Sequence, residues 1–149
     1  MKNKKSGILL TPEVLVGLYN FSQINKARCE GPFNCGDKGN LYWATALAEE
    51  TGEIAGVIKK MDRGFNAREY EKMKREWLKT NTNPEDLPSM AEFKAAWVIK
   101  MTQALANEIA DVFIYLELFA QRNGINIFEA VTEKFNQVSN EMKCPQFKI

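Results

Sequence analysis

The chain contains no histidine. That absence removes the Ser-His and Cys-His pairs of nucleophilic catalysis, the usual zinc sites and the Glu-x-x-His motif of di-iron bundles. Cysteine is scarce. Cys29, Cys35 and Cys144 are odd in number and have no C-x-x-C spacing, so they read as reduced thiols rather than zinc ligands or a disulfide framework. Charge of one sign is also missing: 20 basic residues against 19 acidic ones leave a net +1. There is thus no basic excess to hold nucleic acid and no acidic tail. No apolar run is long enough to span a membrane. The opening MKNKKSG is followed only by ILL before Thr11-Pro12, too little for a signal peptide. A cytoplasmic protein is expected. At 149 residues, one domain over 1–149 is the default. Any chemistry must rest on carboxylates, lysines, arginines, amides or a metal bound through oxygen.

Strand-like alternation is absent as well, whereas helical periodicity recurs along the chain. Thr11-Pro12-Glu13 is a helix start, with a hydroxyl N-cap, proline at the first position and an acid in the first turn. The helix it opens, about 11–29, carries Val14, Leu18, Phe21 and Ile24 on one side. The Gly-, Pro- and Asn-rich CEGPFNCGDKGN is a loop. A second helix is predicted from about Leu41 to Met61, and DRGFN breaks it. A charged surface helix follows from Ala67 to Lys79, and TNTNPEDLPS is a second loop. Ser89 and Glu92 have capping-box spacing and open a long helix to about Arg122, closed by Gly124. Asn126 caps a last helix that ends before Pro145. The expected fold is all-α, with four main helices and one accessory helix.

Two places break the apolar pattern. On the second helix, Trp43, Ala46, Leu47, Ile54, Val57, Ile58 and Met61 form one face, and Glu50 falls within it. Glu53 lies at its edge beside Glu50, and Glu49 is further round toward solvent. On the long helix, Met101, Leu105, Ile109, Val112, Leu116 and Phe119 form the stripe; Glu108 borders it, with Asp111 one turn on. Each pair has i, i+3 spacing and so shares a helix face. If the two helices pack together, four carboxylates converge. Converging carboxylates repel unless a cation lies among them, and oxygen-only ligands select hard ions, Mg²⁺ first and Mn²⁺ second. The alternative is that these acids are solvated residues on amphipathic helices.

ALAEETGEIAGVIKK, followed by ANEIADVFIYLELFAQRNGINIFEAVTEKFNQVS, resembles the MazG-like all-α nucleoside triphosphate pyrophosphohydrolases. That family carries E-E-x-x-E on one helix and E-x-x-D on the next, matched here by Glu49-Glu50-x-x-Glu53 and Glu108-x-x-Asp111. The tail at residues 124–139 resembles the segment that follows the E-x-x-D helix. NKARCE, residues 25–30, looks like the front of members with an N-terminal substrate-binding helix. The resemblance covers about 40–140, and more loosely from about 20. The two acidic motifs stand further apart than in compact members, because the charged segment and the Pro-containing loop intervene.

The resemblance implies a four-helix MazG-like bundle with an accessory helix. It also implies Mg²⁺-dependent cleavage of a nucleoside triphosphate between its α and β phosphates, giving a monophosphate and pyrophosphate in nucleotide-pool housecleaning. Glu50, Glu53, Glu108 and Asp111 would hold the metal, with Mn²⁺ as a substitute. Glu49 would be a water-activating, second-metal or outer-shell residue. Lys60 shares the face of Glu53 and would contact phosphate. Lys134 and Asn136 in the tail, and Asn25 and Arg28 on the first helix, are further substrate-binding candidates. Phe21, Phe33, Tyr42, Trp43 and Trp97 could supply an aromatic platform for the base. VFIYLELFA is apolar on more than one side of its helix, which with the resemblance predicts a homodimer. Two readings compete: a phosphoribosyl-ATP pyrophosphatase with the same four-acid logic, and a non-catalytic helical interaction module.

Overall fold

The computed structural model describes residues 12–81 and 83–144. It is all-α: α1 (Pro12–Glu30), α2 (Asn40–Arg63), α3 (Ala67–Thr80), a single 3-10 turn at Pro84–Asp86, α4 (Met90–Arg122) and α5 (Ile127–Glu141). No strand occurs among the described residues. Thr11, expected as the first N-cap, the side chain of Val14, and Pro145 lie outside what is described.

Local chemistry sets the helix ends. The Ser89–Glu92 box is reciprocal. The Ser89 N–H donates to the Glu92 carboxylate at 2.8 Å, and the Glu92 N–H donates back to the Ser89 hydroxyl at 3.3 Å. Asn66 and Asn126 cap α3 and α5 by accepting two backbone N–H bonds each. Gly124, at φ 68°, closes α4. Its N–H donates to Gln121 at 3.0 Å while the Ile125 N–H reaches Ala120 at 2.9 Å. This is the paired 6→1 and 5→2 bonding of a left-handed C-terminal cap, where glycine has no Cβ penalty.

The chain falls into two compact units: one from residues up to Thr45 and from Ile114 onward, the other Ala46–Phe113. Helices α2 and α4 each contribute to both.

In the first unit, Cys29, Trp43 and Leu118 form the core, with Cys35, Ile114, Tyr115 and Phe119 packed on it. Trp43 is 2% exposed, and its indole N–H donates to the Lys38 carbonyl at 3.3 Å. A polar seam ties α1 to α4. The Ser22 hydroxyl donates to Glu117 at 2.6 Å, and the Asn25 amide donates to Glu117 at 2.9 Å and to the Ile114 carbonyl at 3.1 Å. Gln121 donates to the Ser22 carbonyl at 3.0 Å and also to Glu117. Glu117 is 1% exposed, yet every donor around it is neutral. Hydrogen bonds of this kind are what allow a carboxylate to be buried at all.

Among the described residues of the second unit, Val57, Phe93 and Trp97 are the buried apolar side chains. Phe65 packs on Trp97 with ring centroids 6.0 Å apart, and Tyr70 meets Phe93 edge-on at 5.5 Å. The accessory helix α3 buries no residue completely. It rests on α4 through Tyr70 and a Glu76–Lys100 ion pair at 3.8 Å, whose partners are half exposed, so the pair adds little stability.

Several residues expected on core stripes face outward instead. Ile24, Ile58, Ile109 and Leu116 are all exposed. A sequence wheel shows that a face is apolar but not how much of it neighbouring helices cover.

Candidate functional site

All five family-pattern acids lie in the second unit, on two helices. The part of α2 there carries Glu49, Glu50 and Glu53, and α4 carries Glu108 and Asp111. One oxygen each from Glu50, Glu108 and Asp111 lies within 4.8 Å of the others, and all three side chains are half-buried. Glu53 is exposed, but its carboxyl is within hydrogen-bonding reach of Glu108. Glu49 is exposed, and its charge acts on Glu50.

The electrostatics carry the mark of this crowding. Burial pushes the Glu50 carboxyl above its ordinary value, and the charges of Asp111, Glu53, Glu108 and Glu49 push it further. Glu108 is also raised, first by burial, then by its hydrogen bond to Glu53 and by the charges of Glu53 and Asp111; the Lys60 ammonium pulls it the other way. Neither ion pair found among the described residues involves these acids. A cluster of carboxylates without a pairing cation favours either a shared proton or a bound metal ion. The donor set is oxygen only, which fits a hard divalent cation and not a soft one.

Of the expected substrate-binding residues, Lys60 lies in the same unit as the acids and its charge acts on Glu108. The other four belong to the first unit. Lys134 is exposed and donates to the Gln137 side chain at 3.2 Å. Asn136 is half-buried on α5. Asn25 is 2% exposed: its amide nitrogen serves Glu117 and Ile114, and its oxygen accepts from Arg28 at 3.1 Å. Arg28 is exposed and lies over the Phe33 ring at 5.3 Å.

The aromatic candidates also divide. Trp43 and Trp97 are core residues, Phe21 is half-buried, and Tyr42 packs edge-on against Trp43. The first unit contains a cleft of about 450 Å³, with Trp43 and Leu118 in its wall and Lys26, Asn40, Gln121 and Arg122 around it.

Sequence reasoning missed the seam around Glu117. The available signal was a single acid inside the apolar run VFIYLELFA, a position that calls for buried donors. Its partners Ser22 and Asn25 lie far away in sequence and could not be read from spacing.

A sequence model of the MazG nucleotide pyrophosphohydrolase domain matches residues 39–142. No curated protein and no solved structure matches the chain. The matched segment takes in both acidic helices and everything between them, and it covers more than half of the chain. The chain therefore belongs to the MazG nucleotide pyrophosphohydrolase domain family.

Proposed function

We propose that the protein hydrolyses a nucleoside triphosphate between its α and β phosphates, releasing a nucleoside monophosphate and pyrophosphate, with Mg²⁺ as the preferred metal and Mn²⁺ as a substitute. The observation that carries this reading is the meeting of Glu50, Glu108 and Asp111 oxygens within 4.8 Å in a chain of this family.

Glu50, Glu108 and Asp111, joined by Glu53, would hold the cation. A divalent ion bound there supplies Lewis acidity toward the triphosphate oxygens. Glu49, exposed beside Glu50, is the carboxylate free to accept a proton from the attacking water. Lys60 adds positive charge on the same helix and offsets the excess negative charge that a triphosphate brings. Lys134, Asn136 and Arg28 remain candidate phosphate contacts. Asn25 is committed to internal bonds, and its role would be to hold α1 and Glu117 in place. No protein nucleophile is required, in keeping with a chain that lacks histidine.

We also propose a homodimer. Val98, Ile99, Ile109 and Phe113 on α4, and Val131, Phe135 and Val138 at i, i+4, i+7 on α5, are exposed in the single chain. The three α5 residues share one face of their helix, and exposed apolar side chains of this kind are what an interaction face presents. Light scattering at micromolar concentration should give twice the mass of the chain; a clean monomer would remove the dimer. With no helix among the described residues able to cross a membrane, a cytoplasmic site of action fits a nucleotide substrate.

Pyrophosphate release across ribo- and deoxyribonucleoside triphosphates, with Mg²⁺ or Mn²⁺, tests the activity. Phosphoribosyl-ATP belongs in the same panel. Turnover of that compound alone would move the protein to the histidine-pathway reaction, and no turnover of any substrate would leave a non-catalytic helical module.

A further inference from the structure

Cys29 stands in the last turn of α1 and Cys35 in the loop that follows. The backbone between them folds back on itself. The Gly31 N–H donates to Ala27 at 2.9 Å, Phe33 donates to Arg28 at 3.3 Å, and Asn34 takes a left-handed φ of 47°. The recoil is tight: a Cβ on Gly31 would sit 2.9 Å from the Ala27 carbonyl oxygen, closer than real Cβ atoms come. It returns Cys35 directly over Cys29. The Cys35 N–H donates to the Cys29 carbonyl at 3.0 Å, its thiol approaches the same oxygen at 3.3 Å, and the two sulfurs lie 2.8 Å apart. Both are free thiols. Little movement separates this arrangement from the roughly 2.05 Å of a sulfur–sulfur bond.

We infer that Cys29 and Cys35 form a reversible dithiol–disulfide couple, oxidised by exchange with a low-molecular-weight disulfide. Accessibility sets the order of events. Cys29 is 5% exposed and packed against Trp43 and Leu118, whereas Cys35 is only partly covered. Burial, with the hydrogen bond and charge of Cys35, also pushes the Cys29 thiol up to about 12, so Cys29 is the later participant.

The Cys35 thiolate attacks one sulfur of the reagent RS–SR. That bond breaks, RS⁻ departs, and Cys35 holds the mixed disulfide. The Cys29 proton passes to the released RS⁻, and the Cys29 sulfur attacks the Cys35 sulfur and expels the second RS⁻, which takes up the Cys35 proton from solvent. Two protein thiols are oxidised, and one RSSR is reduced to two RSH. The product staples the end of α1 to the loop. Gly36, next in sequence, accepts from Arg122 and lines the cleft, so closure would fix one edge of that cleft.

The full chain is equilibrated across a series of reduced-to-oxidised glutathione ratios, quenched, alkylated and mapped by peptide mass spectrometry. The expected product is a Cys29–Cys35 crosslink, with loss of two of the three thiols, Cys144 still alkylated, and full reversal by excess reduced glutathione. C29S should trap glutathione on Cys35 as a stable adduct. C35S should show no crosslink and leave Cys29 unreacted; because Cys35 is partly exposed, this variant keeps the test open if C29S does not fold. Glutathione on wild-type Cys35 without a crosslink, pairing through Cys144, or no reaction at any ratio would overturn the inference.

Discussion

Helix α4 carries acids in two opposite situations. Glu117, in the first unit, is almost completely buried, and donors from Ser22, Asn25 and Gln121 surround it. Glu108 and Asp111, in the second unit, are only half-buried, and their close neighbours are the acids Glu50 and Glu53, with the Lys60 ammonium acting on Glu108 in the opposite sense. The more buried carboxylate is the satisfied one; the more accessible ones are crowded by like charge. Burial of an acid therefore does not by itself identify function. A donor cage around one carboxylate is structural, whereas carboxylates turned on one another are what the proposed function would use to hold a cation.

Substitutions should split the two regions cleanly. The largest effect is expected on catalysis. Asp111→Asn or Glu53→Gln should lower pyrophosphate release by more than about 100-fold, since loss of a ligand should exceed the 10–100-fold typical of losing an outer-shell partner. Metal-free stability should be unchanged or raised, because each change removes repulsion. Full activity in either variant would remove the acids from the mechanism.

The next effect belongs to Glu117. Glu117→Ala strands several buried donors and should cost about 3 kcal/mol in urea denaturation, at 1–3 kcal/mol for each group left unsatisfied. Glu117→Gln keeps one acceptor and should cost less. If the alanine variant is as stable as wild type, the seam does not hold α1 to α4.

A smaller effect is a pH dependence of opposite sense to ordinary acid denaturation. Glu50 and Glu108 have carboxyls raised in the folded state above the ordinary value of 4.5. The folded protein therefore binds these protons more tightly than the unfolded chain does. Metal-free stability should rise as pH falls from neutral through the raised folded-state values, and this gain should level off below about 4.5. Saturating Mg²⁺ should suppress the gain, as should Glu50→Gln in part. A metal-free stability that only falls on mild acidification would contradict the crowding. The smallest expected change is at a helix end: Asn126→Ala removes the α5 cap and should cost about 1 kcal/mol, with activity retained.

What could be read in the sequence was local. The capping box at Ser89 and Glu92, the Asn126 cap and the Gly124 stop all act within a few residues, and all three are present. The i, i+3 acid pairs are local too, and one condition, that α2 and α4 run side by side, brings their carboxylates together. In the Glu117 seam Gln121 comes from one turn along the same helix, but Ser22 and Asn25 come from the other end of the chain, and no periodicity encodes their arrival. The Cys29–Cys35 approach depends on a left-handed turn at Asn34 that the loop composition suggested but did not locate. Ile24, Ile58, Ile109 and Leu116 were apolar at core spacing, but their exposure depends on which neighbours α1, α2 and α4 meet.

Calorimetric titration of Mn²⁺ into the metal-free protein, wild type beside Asp111→Asn, tests most directly whether the crowded acids exist to hold a cation. Saturable binding by wild type, weakened at least about tenfold in the variant, with Mg²⁺ competing for the same site, is the predicted result. No saturable binding, or equal binding by both proteins, would contradict it.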